Sequence, residues 1–313
     1  MKRLVALAAV VMLVVAGCSS GSAGSPSSGL SRSSSAAGGG PVKVVASTNV
    51  YGDIVKVIGG SAVAVTSIID SPDRDPHEYE ADAQTQLALS KAQLVIENGG
   101  GYDDFVDTML ESDRTKPTVI NVTNISGRNQ QLADGEFNEH LWYDLPTMEK
   151  LAAQLVTDLS AAAPGQAATF KRNAKAFTAQ LGQLQHHAAD IKAKHAGEGM
   201  AITEPVPLYL LEAAGLVNKT PEEFSEAIEG DTDVPPAVLK DTEDLFDTRQ
   251  VRLLAYNAQT TGPQTEAILA AAKRNNIPVV PVTETLPPRQ TYLSWMQANL
   301  QAVSIALNDR GHL

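Results

Sequence analysis

The sequence predicts an α/β protein of two lobes, each a mostly parallel sheet with flanking helices, joined by one long rigid backbone helix. Short β-branched runs alternate with helical patterns in both halves of the chain, as in βαβ units. Between the halves, apolar residues recur at helical spacing with little interruption. The roughly 270 residues that follow residue 40 suit two lobes better than one core.

The chain opens with a pattern typical of secretory signals. Two basic residues precede an apolar run over 4–16, which is too short to span a bilayer because spanning needs ~20 residues. A small glycine then precedes Cys18, the only cysteine in the sequence. We therefore expect a signal peptide over 1–17, and neither a disulfide nor a cysteine ligand in the folded part.

The segment "VVAGC" resembles the lipobox of bacterial lipoproteins, in which the cysteine is acylated. The alternative is a secreted protein with an incidental cysteine at this place. Serine and glycine dominate the residues after Cys18, so 18–40 is expected to be a lipidated cysteine followed by a disordered tether. These features predict an extracytoplasmic protein that is lipid-anchored to the cell membrane.

The charge balance bears on the partners. Asp and Glu outnumber Lys and Arg by 36 to 24, for a net charge of −12, and no basic cluster occurs. A nucleic-acid partner is therefore not expected.

The N-terminal lobe is predicted over 41–163. Its strands are expected at 42–47, 63–69, 92–98 and 118–122, with helices at 51–60 and 82–91.

A long connecting helix is predicted over 164–197. Its apolar residues alternate steps of four and three, which places them on one face. About thirty helical residues would span ~45 Å. The predicted buried face consists of Phe170, Ala174, Phe177, Leu181, Leu184, Ala188 and Ile191.

The C-terminal lobe is predicted over 198–313. Strands are expected at 200–203, 251–257 and 277–282, and helices at 235–248, 262–276 and 290–307.

Polar residues follow several of the predicted strands, and no standard hydrolase, nucleotide-binding or dinucleotide-binding motif occurs. His77, Glu204 and Glu284 come after strands, and His140 precedes a helix start. Ligands of open α/β sheets bind at the carboxyl ends of strands. Two imidazoles and two carboxylates are a suitable set for a divalent transition metal.

Each of these residues also has a purely structural interpretation. The histidines are suitable as capping or packing residues, and the glutamates as first-turn acids that complement helix dipoles. The four positions lie far apart in the sequence, so their spacing does not decide between these readings.

Several ordered motifs resemble one family. "DIVKVIGG", "DPHEYEADAQTQLALSKAQLVIENGGGYDDFV", "NEHLWYDLPTMEKLA" and "TETLPP" occur in the family's order along the folded part. The chain resembles the periplasmic or lipid-anchored metal-binding proteins of zinc and manganese ABC transporters, the zinc-uptake family.

The resemblance implies a ligand set shared between the lobes. His77 and His140 would be the N-lobe ligands, and Glu204 and Glu284 the C-lobe ligands. Glu284 departs from the family's Asp in a T-D-S motif, and Asn257, at the end of a predicted strand, is its rival as fourth ligand. A metal-bound imidazole needs a hydrogen-bond acceptor behind it, for which Asp75, Glu139 and Asp144 are candidates. Trp142 and Tyr143 are expected either to shield the site from solvent or to pack in the core.

The function implied is capture of Zn²⁺ or Mn²⁺ and its delivery to an ABC permease driven by an ATPase. Two carboxylates favour Mn²⁺, intrinsic affinity favours Zn²⁺, and Fe²⁺ is third. We expect a monomer with no catalytic cofactor and no enzymatic activity. The alternatives are a metal-dependent hydrolase on the same ligands, which would need a general base and an oxyanion donor, and a surface adhesin.

Overall fold

A computed structural model of the protein describes residues 40–71, 79, 80, 82–111, 115–130 and 137–308. The predicted signal peptide, Cys18 and the predicted tether up to residue 39 lie outside the described residues, as does His77.

The first sheet has four parallel strands in the order β2-β1-β3-β4. The central strand β1 carries a nearly continuous apolar run, as expected of a strand that is covered on both faces. The strands are β1 (Val42–Thr48), β2 (Val63–Ile69), β3 (Leu94–Glu97) and β4 (Thr118–Asn121).

The second sheet repeats this arrangement with the order β6-β5-β7-β8, again all parallel. The edge strand β6 was not predicted, because two residues are too few to establish a period of two. The strands are β5 (Gly199–Ile202), β6 (Val217–Asn218), β7 (Leu254–Asn257) and β8 (Val279–Val282).

Helices connect the strands and cover the sheets. They are α1 (Asn49–Gly59), α2 (Ala83–Leu89), α3 (Phe105–Glu111), α4 (Val122–Ser126), α5 (Leu145–Ala162), α6 (Ala167–His195), α7 (Leu208–Ala213), α8 (Glu222–Glu229), α9 (Pro236–Asp247), α10 (Pro263–Arg274) and α11 (Tyr292–Asn308). Among the described helices, none combines the length and the apolar character that crossing a bilayer requires.

The long helix α6 is the predicted connecting helix, slightly shortened. A 3-10 turn over Pro164–Gln166 precedes it, and Gly197, with a φ of 85°, follows its end. All seven residues of the predicted apolar face are buried. That face packs against α1 and α5 and against α7 and α11, so the one helix contacts elements of both halves. Burying a large apolar side chain is worth about 1.5–3 kcal/mol, so the stripe contributes strongly to holding these elements together.

The predicted fold class is therefore confirmed: two four-stranded parallel sheets with flanking helices and one long helix. One buried apolar cluster extends from β1 through α6 to β8. Because all strands within a sheet run the same way, their carboxyl ends form one edge, and candidate polar residues lie along that edge.

Candidate metal centre

Three candidate residues lie at adjacent strand ends of the second sheet. Glu204 follows β5 by two residues, Asn257 is the last residue of β7, and Glu284 follows β8 by two residues. Strand β7 pairs with both β5 and β8, so the three positions are neighbours along one edge. All three are buried, with exposed fractions of 4%, 1% and 3%.

The carboxylate of Glu284 is held from several sides. Asn257 Nδ2 donates to its Oε1 at 2.8 Å, and the Tyr102 hydroxyl lies 3.4 Å from its Oε2. Gln259 Oε1 accepts the backbone N–H groups of Glu284 and Thr285 at 2.7 and 3.0 Å. Backbone and side chain are both positioned, so the carboxylate is preorganised.

Asn257 uses both ends of its side-chain amide locally. Besides donating to Glu284, its Nδ2 donates to Thr260 Oγ1 at 3.2 Å, and its Oδ1 accepts the Gln259 N–H at 3.1 Å. These contacts fix the amide orientation and engage the oxygen that a metal would need. Asn257 therefore orients the Glu284 carboxylate.

His140 lies in the segment that leads into α5 and is fully buried. Asn98, which follows β3, donates from Nδ2 to the Glu139 carbonyl at 2.9 Å and so ties this segment to the carboxyl end of the first sheet. Gly99, with a φ of 71°, lets the chain turn there, and a Cβ at this position would collide with Asn121 at 2.3 Å.

The imidazole of His140 is oriented by Asn138. Asn138 Oδ1 lies 2.8 Å from His140 Nδ1 and also accepts the His140 backbone N–H at 3.0 Å, while its Nδ2 donates to the Pro205 carbonyl at 3.0 Å. The Pro205 bond fixes which end of the amide faces the ring. Nδ1 therefore carries a proton, and in the neutral ring Nε2 is the nitrogen that can bind a metal.

Asn138 is therefore the acceptor behind His140 among the described residues, in place of Asp144 and Glu139. Asp144 instead accepts from Arg128 at 2.7 Å and from the Thr147 hydroxyl at 2.5 Å, contacts that stabilise the start of α5. Glu139 places its carboxyl near Glu229 and not behind the ring, and Asp75 lies outside the described residues. Asn138 stands two residues before the histidine in the sequence, where a side chain can bond both the backbone N–H and the ring.

The two aromatic residues after His140 serve different purposes. Trp142 lies beside the imidazole, with ring centroids 5.1 Å apart, and Tyr102 packs on the same ring at 6.0 Å. Tyr143 turns the other way, donates to the Thr283 carbonyl at 2.9 Å and packs on Trp295. Both residues belong to the buried core, and Trp142 also covers the imidazole.

Glu229 is a further residue of the site that the sequence reasoning missed. It is the last residue of α8, and its Oε1 lies 3.4 Å from His140 Nε2. Together with Glu139 and His140 it forms a group whose potential ligand atoms lie within 4.8 Å of one another. In the sequence it stands in the acidic stretch "EEFSEAIE", which reads as a solvated helix face and offers no signal of a site.

Four glutamates interact at this place: Glu139, Glu204, Glu229 and Glu284, called the carboxylate cluster below. Burial is the main cause that raises the pKa of Glu229 well above its ordinary value, and the charges of the three other glutamates raise it further. Carboxylates that repel one another in a buried place are stabilised by a cation among them. Glu204 and Glu284 thus act electrostatically on Glu229, which contacts His140, and among the described residues the ligand atoms within 4.8 Å of one another belong to Glu139, His140 and Glu229. His77 stays outside the described residues.

Comparison with known proteins identifies the family. The family described as "ZnuA: Zinc-uptake complex component A periplasmic" matches residues 44–306. The chain is 26% identical over 304 residues to the metal ABC transporter substrate-binding lipoprotein FimA of Streptococcus parasanguinis, covering 89% of this chain and 93% of that protein. It is 27% identical over 176 residues to the manganese-binding lipoprotein MntA of Halalkalibacterium halodurans, covering 56% of this chain and 55%, about half, of that relative.

A solved structure shows the same fold. The SBP FpvC from Pseudomonas aeruginosa, in complex with Mn²⁺, superimposes with a TM-score of 0.71 at 20% identity and covers 87% of this chain and all of that one. The family match spans most of the sequence and includes both sheets, the long helix and the inter-lobe site. The chain therefore belongs to the ZnuA family of periplasmic zinc-uptake components.

Proposed function

We propose that this protein captures a divalent transition metal, Zn²⁺ or Mn²⁺, between its two lobes and delivers it to an ABC permease for uptake. The family consists of solute-binding proteins that partner with a permease and its ATPase, so the ion is the transported cargo and the protein is not an enzyme. Neither a hydrolase nor an adhesin is favoured by the family match.

The observation that carries the proposal is the placement of His140. A fully buried imidazole with its Nδ1 bonded to Asn138 presents Nε2 toward the carboxylate cluster. The neutral imidazole and carboxylates are borderline and hard ligands respectively, a combination that suits first-row divalent metals.

We infer the ligand set His77, His140, Glu204 and Glu284. His140, Glu204 and Glu284 are buried, and Glu204 and Glu284 act electrostatically on Glu229 beside His140, which supports their part of the set. Asn257 is assigned to hold Glu284 through the 2.8 Å hydrogen bond. His77 enters the set through its place in the first family motif alone.

We also propose that the chain is divided into segments and anchored to the membrane as follows. We assign 1–17 to a signal peptide, 18–40 to a lipidated Cys18 with a tether, 41–163 and 198–313 to the two lobes, and 164–197 to the connecting helix. The protein would act as a monomer at the outer face of the cell membrane. Changing Cys18 to Ser should move it from the membrane fraction to the soluble extracytoplasmic fraction, and retention in the membrane would refute the lipid anchor.

Metal content after mild purification tests the proposed capture function. The wild-type protein should carry about one Zn²⁺ or Mn²⁺ per chain by mass spectrometry, and His140→Ala or His77→Ala should abolish that content. His186→Ala is the matched control, because His186 is 79% exposed on α6 and should leave the content unchanged. Full metal content in the His77→Ala, His140→Ala double variant would overturn the ligand assignment.

A further inference from the structure

Glu229 holds a position next to His140 that the four-residue ligand set does not account for. Helix α8 ends at Glu229, and its buried Phe224 and Ile228 belong to an apolar cluster that also contains Phe246 and Leu254. The backbone after the helix is also bonded, since Gly230 and Thr232 donate to the carbonyls of Glu226 and Ala227 at 2.9 and 2.8 Å. The Glu229 side chain, only 14% exposed, is therefore projected from a well-supported helix end.

The contact between Glu229 and His140 joins two atoms that can each serve as a metal ligand. Because Asn138 holds a proton on Nδ1, Nε2 is the ring nitrogen that can bind an ion, and it lies 3.4 Å from Glu229 Oε1. Two ligand atoms at that separation, each about 2.1 Å from a shared ion, subtend an angle of about 108°, which is ordinary for a metal site. The same ion can therefore bind His140 Nε2 and Glu229 Oε1 without either residue moving far.

The surroundings of Glu229 have the chemistry of an oxygen-rich site. Glu204 and Glu284 act electrostatically on its carboxyl group, and Glu139 contributes another oxygen within the same group of ligand atoms. Zn²⁺ is satisfied by four ligands, whereas Mn²⁺ prefers oxygen ligands and a higher coordination number. Because intrinsic affinity favours Zn²⁺, a site that selects Mn²⁺ must do so through ligand type and number.

We propose that Glu229 is a ligand of the bound ion, in addition to the four residues inferred above, and that it shifts the preference of the site from Zn²⁺ toward Mn²⁺. This inference rests on the proposed function, since it adds a residue to the same inter-lobe site. It assigns the C-terminal end of α8 a direct role in choosing the cargo.

The test compares Glu229→Gln with Glu223→Gln in metal-stripped full-length protein. Both changes replace a carboxyl group of α8 with an amide, but Glu223 is exposed in the first turn of the helix and serves as the control. Mn²⁺ affinity is measured by calorimetric titration, and Zn²⁺ affinity by competition with a chelator. The electron paramagnetic resonance spectrum of bound Mn²⁺ reports its coordination.

Glu229→Gln should weaken Mn²⁺ binding at least tenfold, weaken Zn²⁺ binding less than threefold and change the Mn²⁺ spectrum, while Glu223→Gln changes none of these. A Mn²⁺ loss below tenfold, or tighter binding, would overturn the ligand role, and tighter binding would mean that Glu229 competes with the ion for His140. Equal losses for both ions would overturn the role in selectivity. Failure of the wild-type protein to bind either ion, or full binding by His140→Ala, would instead refute the proposed function.

Discussion

Because Asn257 holds the Glu284 carboxylate and Glu284 is the proposed ligand, Glu284→Gln should weaken metal binding. The carboxylate uses Oε1 to accept from Asn257 Nδ2 at 2.8 Å, and its Oε2 faces Tyr102 and the inter-lobe site. Glutamine has the same shape but only one oxygen. If that oxygen stays with Asn257, an NH₂ group faces the ion, and if it turns to the ion, two NH₂ groups oppose each other. Either orientation loses a ligand or a hydrogen bond, in addition to the charge.

The expected loss of metal affinity is tenfold to a hundredfold, or about 1.4–2.8 kcal/mol. Asn257→Ala should cost less, because Glu284 keeps its charge and Gln259 still accepts the backbone N–H groups of Glu284 and Thr285. Mn²⁺ should show the larger effect of Glu284→Gln, since it depends more on oxygen ligands than Zn²⁺ does.

Calorimetric titration of the two metal-stripped variants with Mn²⁺ and with Zn²⁺ measures these losses. Thermal unfolding followed by circular dichroism serves as the control that both variants are folded, because Asn257 is buried and its truncation leaves a small cavity. If Asn257→Ala weakens binding more than Glu284→Gln does, the assignment of Glu284 as the ligand and Asn257 as its support is refuted.

Two further predictions concern rigidity and pH. X-ray scattering curves of the full chain with and without metal should superimpose, because α6 packs on both halves and Asn49 exchanges two side-chain hydrogen bonds with the Leu286 backbone at 3.0 and 2.8 Å. Burial, with smaller contributions from nearby aspartates, raises the pKa of Glu97 from 4.5 to about 7. Glu97→Gln should therefore increase the free energy of unfolding by about 2–3 kcal/mol more at pH 8 than at pH 4.5, as measured by urea unfolding.

The sign of the pH effect follows from proton binding. Between pH 4.5 and 7 the unfolded chain ionises Glu97 while the folded protein keeps it neutral, so the wild type loses stability as pH rises. In the folded protein, Asn121 donates to Glu97 Oε1 at 2.8 Å, and Oε2 is buried with no hydrogen-bond partner among the described residues. Glutamine mimics the neutral acid and avoids the loss. An equal effect of the substitution at both pH values would contradict this account, just as marked compaction on metal binding would contradict the rigid connection.

The sequence alone was sufficient for the fold class and for most elements. The residues 63–69 match β2 in full, and the seven-residue apolar stripe of α6 is buried in full, because local periodicity encodes which face of a strand or helix is covered. The two-residue strand β6 was missed, since its pairing with β5 depends on the neighbouring strand and leaves no periodic pattern of its own.

For the site, sequence position identified residues that follow strands, because parallel strands bring their carboxyl ends to one edge. Only the tertiary structure decided which side chains meet. Asn138 orients His140 through a bond that depends on Pro205, 67 residues later, and Asn257 reaches Glu284 across two paired strands. Glu229 lies in an acidic helix that resembles any solvated face, and it reaches His140 only because α8 packs beside the inter-lobe site. Contacts between residues so distant in sequence depend on how the packed elements are placed, and no local pattern records that placement.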